Sequence, residues 1–395
     1  MNLFKCLILI LLISSCSSHK DYDILIKNGT IADGSGSPTY IGSVGINADT
    51  IAAVGKLKAT GRLEIDATDL VVAPGFINML SWATESLIQN GRSESDIMQG
   101  VTLEVFGEGW SMGPLNKNLK KELQLPTEQG DIKYDIDWNT LDEYLQSLVR
   151  RGISPNVASF IGATTVRINH IGYENRPPTA EELTSMKQMV KEAMEDGALG
   201  VGSSLIYAPA FYSSTEELIE LSKVASEYNG LYISHMRSEG NRLLQGVDEL
   251  ITIANEADIR AEIYHLKMSG KENWNKYDEV VKKIDSARAS GLSITTNMYT
   301  YIAGATGLDA SMPPWVQEGG YEKWAERLQD SKIRRRVLKE MTNPTDEWEN
   351  LMYSAGTPDN LLLVGFKNDS LRHYTGKTLT QVAKIHGKSP EETAM

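Results

Sequence analysis

The chain has 395 residues, of which 41% are hydrophobic and 23% are charged, as expected for a globular protein with one large domain and a smaller one. This composition excludes collagen-like, coiled-coil and disordered chains. The chain has 39 Lys and Arg against 52 Asp and Glu, and the resulting net charge of −13 repels a phosphate backbone and argues against a nucleic-acid partner.

The first twenty residues have the pattern of an export signal. Residues 6–13 form an apolar run that is too short to span a bilayer, and Lys5 precedes it. The run ends Ile-Ser-Ser-Cys, which resembles the lipobox of bacterial lipoproteins, where the cysteine, here Cys16, becomes the lipidated N-terminus. An ordinary signal peptide with a chance cysteine is the alternative. The pattern predicts an exported protein, lipid-anchored in the bacterial periplasm or cell envelope, with residues 1–20 as signal and tether.

Both cysteines of the chain, Cys6 and Cys16, lie within this segment. The folded part of the protein therefore has no disulfide and no thiolate metal ligand. Any metal ion must be bound by histidines and carboxylates.

Residues 21–72 alternate short β-rich runs with turn residues. Asn28-Gly29 and Gly34-Ser35-Gly36 are typical of turns, and the β-branched residues that flank them favour strands. The segment predicts a small antiparallel sheet and forms the first domain, an incomplete β-sandwich.

Residues 73–395 form the second predicted domain, in which apolar β-rich runs alternate with amphipathic helical patterns. One such helix covers Thr179–Asp196, with Thr179 and Glu182 as its capping pair. The alternation predicts a parallel sheet covered by helices, of which an eight-stranded barrel would be the closed form. We count seven strands: Pro74–Met79, Val101–Phe106, Asn156–Ile161, Leu199–Ser203, Gly230–Ser234, Arg260–Tyr264 and Leu292–Asn297.

Two of the six histidines stand at the ends of predicted strands with similar surroundings. They are His235, in LYISHMRSEG, and His265, in AEIYHLKMSG. Because the carboxyl ends of barrel strands meet at one mouth, consecutive strands that each offer a histidine can share a metal ion. The alternative is that each is a hydrogen-bonded histidine at a sheet end.

A carboxylate from an earlier strand is the third candidate ligand. Glu108 directly follows Val101–Phe106 between two glycines, which allow the backbone to bend tightly and turn the side chain inward. Two histidines and one carboxylate form a frequent catalytic zinc set that leaves a position open for water. Alone, Glu108 would be interpreted as a solvated loop residue, and Glu104 in the same strand is a competitor that a basic residue in the core could neutralise.

Several strings resemble a known family. The β-rich start leading into VVAPGFIN is similar to the amidohydrolase superfamily, and longer strings narrow the resemblance to the N-acyl-D-amino-acid deacylases, or D-aminoacylases. These are GALGVGSSLIYAPAFYSSTEELIEL at 197–221, YISHMRSEG at 232–240, YHLKMSG at 264–270, and NMYTYIAGATGL followed by MPPWVQEGG at 297–320. The resemblance implies a TIM-like (β/α) barrel with a small β-sandwich, in which water activated by zinc attacks an amide.

The resemblance also implies a metal site. His235 and His265 match the two histidines of the family's tightly bound metal, and Glu108 occupies the place of a cysteine ligand. The superfamily's His-X-His pair is replaced by Leu80 and Trp82, neither of which binds zinc. Gly162-Ala163 likewise stands where the family usually has Gly-His. These departures favour one zinc ion over two, and Trp82 is expected to close the vacated space or to pack at the barrel mouth.

Substrate contacts follow from the same resemblance. Tyr207 matches a tyrosine that donates a hydrogen bond to the developing oxyanion, and Lys267 matches a lysine that pairs with a substrate carboxylate. Tyr299 and Tyr301 are candidates for the same mouth. Lys267 has the plainer alternative of a solvated lysine, and Tyr299 and Tyr301 that of packed aromatic rings. Arg237 and Glu239 are predicted to form an ion pair that orients the ligands.

The family's general base, an aspartate at the end of strand eight, has no counterpart in this chain, because that strand would lie beyond Met395. The chain is thus expected to be truncated, with seven barrel strands, and to be inactive if made alone.

The function predicted from these residues is a hydrolase of linear amides that removes the acyl group from N-acyl-D-amino acids or similar small amides. The alternative is a non-catalytic exported lipoprotein that keeps the barrel as a binding scaffold. The sequence leaves the acyl group, the chirality preference and the oligomeric state open.

Overall fold

The computed structural model describes residues 21–129, 134–366 and 368–395. The predicted signal segment and its Cys16 lie outside the described residues. The chain divides into two compact units, with the boundary after Phe76. None of the helices in the described ranges combines the length and the apolar character needed to cross a membrane.

The first unit contains a five-stranded sheet with the order β3-β2-β1-β4, in which β5 also pairs with β1. Neighbours β1–β2 and β2–β3 are antiparallel, but β4 and β5 run parallel to β1. The prediction of an antiparallel sheet is therefore wrong for two pairings, because the chain crosses from β3 to the other edge of β1 before β4. The strands are β1 (Tyr22–Ile31), β2 (Tyr40–Asn47), β3 (Thr50–Gly55), β4 (Gly61–Asp66) and β5 (Val71–Val72).

The dipeptide Asn28-Gly29 lies inside β1 and not at a turn. Asn28 has a φ of 61°, and the register between β1 and β2 shifts between Ile26 and Gly29. A left-handed residue that shifts the register forms a β-bulge, so the positive φ that Asn tolerates is used without reversing the chain. The predicted turn at Gly34-Ser35-Gly36 is confirmed as the bend between β1 and β2.

The second unit contains the strands that were predicted to form the barrel. The third predicted strand is interrupted at Phe160, so that β8 pairs with β7 and β9 pairs with β10. The sheets have the orders β6-β7-β8 and β9-β10-β11-β12-β13, and every pairing from β9 to β13 is parallel. The strands are β6 (Phe76–Asn78), β7 (Val101–Phe106), β8 (Asn156–Ser159), β9 (Ile161–Gly162), β10 (Gly200–Ser204), β11 (Leu231–His235), β12 (Arg260–Ile263) and β13 (Ile294–Thr296).

Helices follow or separate these strands, as in the predicted TIM-like (β/α) class. The predicted helix at Thr179–Asp196 is confirmed, because Thr179 and Glu182 form a reciprocal capping box at its start. The helices are α1 (Ser86–Gln89), α2 (Glu94–Ile97), α3 (Lys117–Gln129), α4 (Leu141–Arg151), α5 (Ala163–His170), α6 (Ala180–Glu195), α7 (Thr215–Glu227), α8 (Leu243–Glu256), α9 (Tyr277–Ala289), α10 (Tyr321–Arg327), α11 (Ser331–Met341), α12 (Leu351–Ser354), α13 (Leu379–His386) and α14 (Pro390–Ala394).

The central strands β9 to β12 of the second unit are buried on both faces, whereas β6 and β13 are largely exposed. Successive strand residues point to opposite faces, so Tyr232 packs in the large core against the helices while its neighbour Ile233 packs in a separate inner cluster. Val105, Phe160 and Tyr264 belong to the same inner cluster. Burial on both faces explains why these strands are apolar runs without alternation, and it leaves their carboxyl ends as the places for polar side chains.

Candidate metal centre

Three polar side chains meet at the carboxyl ends of β7, β11 and β12. Glu108 lies two residues beyond β7, His235 is the last residue of β11, and His265 lies two residues beyond β12. All three are buried, with exposed fractions of 8%, 5% and 7%. The structure thus brings together the three residues that the sequence singled out as metal ligands.

The turn that carries Glu108 requires glycine on both sides. Gly107 and Gly109 have φ values of 107° and 73°, and a Cβ atom on either would collide with Phe160 or Ser204. Only glycine combines that backbone conformation with so close an approach. The bend turns the Glu108 carboxylate inward, as the flanking glycines predict.

The ligand atoms converge on one oxygen. Glu108 Oε1 lies 3.1 Å from His235 Nδ1 and 3.1 Å from His265 Nε2. Zinc bonds of about 2.0–2.2 Å in tetrahedral geometry separate neighbouring ligand atoms by about 3.3–3.5 Å, so only small movements are needed to admit an ion. The three groups are the one potential metal cluster among the described residues, and two imidazoles with one carboxylate suit zinc.

A second carboxylate and a lysine lie behind the histidines. Glu239 is 2% exposed, and its Oε1 lies 3.0 Å from His265 Nδ1 while its Oε2 lies 3.7 Å from His235 Nε2. Lys267 Nζ donates to Glu239 Oε1 at 2.7 Å. Carboxylates in this position fix the orientation of imidazole ligands and increase their basicity.

The predicted ion pair of Arg237 with Glu239 is wrong. Arg237 donates to both carboxylate oxygens of Glu249 on α8, at 2.8–3.1 Å. Glu239 instead turns toward the histidines, because the chain bends after β11 and carries Arg237 and Glu239 in different directions. Glu239 therefore keeps the predicted orienting role with a different partner, Lys267.

The buried charged groups of the site shift one another's pKa values toward the ionised forms. Burial alone would raise the pKa of Glu108, but its hydrogen bonds to His235 and His265 outweigh that effect and lower the pKa to about 2. Burial also opposes ionisation of Glu239, yet His235, His265 and Lys267 lower its pKa to about 2. For His265, burial lowers the pKa, whereas the bonds to Glu108 and Glu239 raise it to about 9. Without an ion, the negative charges of Glu108 and Glu239 are thus balanced by the protonated His265 imidazole and the Lys267 ammonium group.

A pH dependence of metal binding follows from the raised pKa of His265. An ion must displace the proton from His265 Nε2 below pH 9, so the apparent zinc affinity is expected to rise about tenfold per pH unit from about pH 6 to about pH 8. Zinc titrations against a competing chelator at several pH values check this expectation, together with proton release in weakly buffered solution. An affinity that does not change over this range would contradict it.

The backbone of His265 is held in an uncommon conformation. Its φ is 36°, and its backbone N–H donates to Asn297 Oδ1 at 2.7 Å. The Asn297 amide in turn donates to Glu262 Oε1 at 2.7 Å. A left-handed histidine is strained and persists only where its surroundings fix it, so Asn297 positions this ligand from the neighbouring strand.

Sequence and structure comparisons identify the relatives of this chain. No protein-family model matches it. It is 33% identical over 295 residues to a D-aminoacylase of Alcaligenes xylosoxydans xylosoxydans, an alignment that covers 74% of this chain and 60% of the relative. It is 30% identical to an N-acyl-D-glutamate deacylase of the same organism, over 72% of this chain and 58% of the relative. The chain thus spans somewhat less than two thirds of the length of these relatives.

Comparisons with solved structures lead to the same relatives. D-Aminoacylase crystal structures, described as a subset of the amidohydrolases, match with a TM-score of 0.72 and 28% identity over 94% of this chain and 69% of theirs. The chain is a homologue of the D-aminoacylases. An N-acyl-D-glutamate deacylase from Bordetella bronchiseptica, in complex with zinc and a phosphonate inhibitor, has the same fold, with a TM-score of 0.74 and 24% identity over 94% of this chain and 69% of its own. The predicted fold class is confirmed.

In this D-aminoacylase homologue, the three positions where the resemblance implied histidines, Leu80, Trp82 and Ala163, make other contacts. The Trp82 indole Nε1 donates to Glu108 Oε2 at 2.9 Å. Ala163 is the first residue of α5 and lies in the core. Leu80 packs against the inner cluster. None of the three offers a metal-binding atom.

The competing carboxylate Glu104 is not part of the metal cluster. It is fully buried and accepts hydrogen bonds from Ser81 Oγ at 2.7 Å and from Ser93 Oγ at 2.6 Å. The expectation of a basic partner in the core is wrong, because the two hydroxyl groups satisfy this carboxylate.

The predicted substrate residues lie around the same centre. The Tyr207 ring meets the His235 ring edge-on, with centroids 5.3 Å apart, and Tyr207 Oη is 2.7 Å from Thr306 Oγ1. Tyr299 and Tyr301 stack with centroids 4.5 Å apart, and Lys267 Nζ lies 5.8 Å from the Tyr299 ring. Their predicted roles in substrate binding remain predictions.

Lys267 is engaged within the protein. Its ammonium group contacts Glu239 Oε1, His265 Nδ1 and the His265 carbonyl oxygen, at 2.7, 2.9 and 3.2 Å. The two oxygens accept from the ammonium group, whereas His265 Nδ1, when protonated toward Glu239, cannot accept from it. Pairing with a substrate carboxylate would require Lys267 to exchange one of these contacts.

Sequence reasoning missed three contacts of the site. They are the bond of Trp82 to Glu108, the bond of Asn297 to His265, and the bond of Thr306 to Tyr207. Each joins residues at least 26 positions apart, so local spacing gives no signal for them. The orientation of Glu239 toward His235 had a weak signal, since the two residues lie four apart just after a strand.

Proposed function

We propose that this chain is the metal-binding part of a zinc-dependent amide hydrolase that removes the acyl group from N-acyl-D-amino acids. The observation that carries the proposal is the convergence of Glu108, His235 and His265 at the strand ends. The names of the relatives, D-aminoacylase and N-acyl-D-glutamate deacylase, support the reaction and the substrate class. The zinc in the related glutamate deacylase supports the choice of metal.

We propose one ion in this site. A zinc ion bound there would polarise the amide carbonyl and make water nucleophilic near neutral pH. Leu80, Trp82 and Ala163 supply no ligand for a second ion. A related D-aminoacylase, which matches with a TM-score of 0.72, is described as having a binuclear centre in which one metal activates and the second attenuates, so one ion is compatible with activity.

We assign to Tyr207 the stabilisation of the oxyanion of the attacked carbonyl, a role supported by its ring contact with His235. Burial raises the pKa of its phenol well above its ordinary value, so it remains a protonated donor at neutral pH. Thr306 can donate to the same oxygen at 2.7 Å, which leaves the phenol proton free to face the substrate. A fixed neutral donor beside a metal centre is the arrangement that oxyanion stabilisation needs.

Replacing Tyr207 with phenylalanine is expected to lower kcat about 100–1000-fold and to leave zinc content and KM nearly unchanged, because only the transition state uses the phenol. Steady-state kinetics with N-acetyl-D-amino acids, on a form of the protein that supplies the general base, and zinc analysis check the prediction. Tyr212→Phe is the matched control, since the Tyr212 phenol donates to the Pro314 carbonyl oxygen and not into the site. Equal losses in the two variants would argue against this role of Tyr207.

The substrate carboxylate is assigned to the Lys267 side of the site. Lys267 is the cation beside a centre that otherwise contains the carboxylates Glu108 and Glu239. Tyr299, whose ring lies 5.8 Å from Lys267 Nζ, stacks on Tyr301, which is 61% exposed. An anionic substrate would pair with Lys267 and lie against these rings.

Zinc content is the main test, because it depends on the three ligands and not on turnover. The purified chain is expected to bind one zinc ion, His235→Ala to bind none, and His373→Ala, a change of an exposed histidine, to bind one. In a form of the protein that supplies the general base, release of amino acid from N-acetyl-D- and N-acetyl-L-amino acids then tests the reaction and its chirality. Absence of stoichiometric metal, or full activity of His235→Ala, would contradict the proposal.

The alternative of a non-catalytic binding scaffold fits less well. The relatives are named for deacylase activity, and the three ligands converge although Leu80, Trp82 and Ala163 are not ligands. A scaffold with no reaction to perform has no need to keep two buried imidazoles on a buried carboxylate, whose desolvation is costly.

We also propose that the protein is exported and anchored by a lipid on Cys16. The apolar run at 6–13 and the lipobox-like sequence before Cys16 support this proposal. In a bacterial host, the wild-type protein is expected in the membrane fraction, and Cys16→Ser is expected to leave that fraction. Mass spectrometry of the mature N-terminus checks the lipid. An N-terminus without acyl groups would contradict the anchor.

A further inference from the structure

The two oxygens of Glu108 have different partners. Oε1 faces His235 Nδ1 and His265 Nε2, whereas Oε2 accepts the indole N–H of Trp82 at 2.9 Å. An indole N–H is a donor only and cannot bind a metal ion. The hydrogen bond takes one lone pair of Oε2 and orients the carboxylate with Oε1 toward the histidines.

The position of Trp82 is set by the strand pairing beneath it. The Ser81 backbone N–H donates to the Val105 carbonyl oxygen at 2.9 Å, and Ser81 Oγ donates to Glu104 Oε2 at 2.7 Å. Both bonds reach the strand that leads into Glu108. The backbone next to Trp82 is thus tied to the strand that leads into Glu108.

The exposure of Trp82 makes its hydrogen bond informative. Trp82 is 61% exposed, whereas Glu108 is 8% exposed. An exposed tryptophan adds little to the packing of a core. The hydrogen bond to the buried carboxylate is therefore the main interaction of the Trp82 side chain. A hydrogen bond to a charged acceptor is stronger than one between neutral groups and restrains the acceptor's rotation.

We propose that Trp82 is a positioning residue that holds Glu108 as a one-oxygen ligand and keeps its second oxygen out of the coordination of the metal. The inference rests on the proposed metal site at Glu108, His235 and His265. It assigns to Trp82 the orientation of the carboxylate.

The experiment compares ion binding by the full chain and by Trp82→Phe, which keeps an aromatic ring and loses the donor. Trp274→Phe is the matched control, because Trp274 is also 61% exposed and lies on the turn Lys271–Lys276. Zinc affinity is measured with a competing chelator, and Co²⁺ is used as the visible probe of coordination. Melting temperatures of the ion-free proteins show that the variants fold.

Trp82→Phe is expected to bind zinc about 10–100-fold more weakly, the usual effect of removing a residue that orients a ligand. Its Co²⁺ complex is expected to absorb more weakly in the visible range, because entry of Oε2 raises the coordination number. Trp274→Phe is expected to match the wild type in both measurements.

The outcomes separate this inference from the proposed function. If the wild type binds no ion, both are wrong. If the wild type binds one ion, and Trp82→Phe has the same affinity and the same Co²⁺ spectrum, the role of Trp82 is wrong while the proposed metal site stands. An equal loss in Trp274→Phe would likewise overturn the role of Trp82, since loss of an exposed indole elsewhere would have the same effect.

Discussion

Replacing Glu108 with glutamine is expected to weaken zinc binding by more than about 100-fold, beyond the usual effect of changing a residue behind the ligands. The amide keeps the size of the side chain but removes the anionic oxygen that lies 3.1 Å from both imidazoles. Zinc at 100 times its dissociation constant stabilises a folded protein by about 2.7 kcal/mol, so zinc should raise the Tm of the wild type and not that of the variant. Chelator competition and thermal melts measure both effects.

Glu104→Gln is the matched control for this prediction. Glu104 lies on the same strand, four residues earlier, and is fully buried, but serine hydroxyl groups hold it instead of histidines. The control variant is expected to keep the zinc affinity of the wild type. The opposite result, with zinc lost in Glu104→Gln and retained in Glu108→Gln, would move the metal site to the carboxylate that sequence reasoning ranked second.

Replacing Arg167 with methionine is expected to lower the free energy of unfolding by about 3–5 kcal/mol. Arg167 is fully buried, and its guanidinium donates to Glu217 Oε2 at 2.6 Å and to the Arg176 carbonyl oxygen at 2.6 Å. Its loss would leave the Glu217 charge, 3% exposed, without its cation. Urea denaturation of the ion-free protein measures the change.

Two further variants test whether the buried, unpaired charge causes this loss of stability. Arg176→Met removes a bidentate pair with Glu182 whose arginine side chain is 37% exposed, and it is expected to cost about 0.2–1 kcal/mol. The double variant Arg167→Met with Glu217→Leu is expected to recover most of the loss, because it removes the unpaired charge. Equal losses at Arg167 and Arg176 would show that burial of the pair is not what matters.

Arg167 also connects stability with the site. It lies on α5, whose first turn donates from the Thr164 backbone N–H to the Gly109 carbonyl oxygen, next to Glu108. Its partner Glu217 lies on α7. The ion pair therefore ties two helices behind the turn that carries the candidate ligand.

Much of the second unit could be predicted from sequence. Each of the seven predicted segments overlaps a strand, because short β-rich runs between helical patterns are a local signal. The capping pair Thr179 and Glu182 fixed the start of one helix, because that bond is local. The fold of the first unit was harder to predict from sequence. Its parallel pairing of β4 with β1 depends on contacts distant in sequence, and the Asn28-Gly29 bulge uses the same conformational preference as a turn.

The candidate ligands could be predicted because each lies at the carboxyl end of a strand. Residues at the carboxyl ends of neighbouring parallel strands come together whatever the details of packing. The partners of those ligands could not be predicted in this way. The orientation of Glu239 toward His265, and the partners that Arg237 and Lys267 choose, depend on the directions in which loops leave the strands.

The sequence by itself determined the residue types available at the site: histidines and carboxylates, with no thiolate outside residues 1–20. It also determined their places at strand ends, since the local periodicity of hydrophobic residues predicts strands and helices. Only the tertiary structure decided which oxygen of Glu108 faces the histidines and that an exposed tryptophan occupies the other. The physical reason is that hydrogen bonds depend on distances and angles between side chains far apart in the chain, which only the packed fold brings within reach.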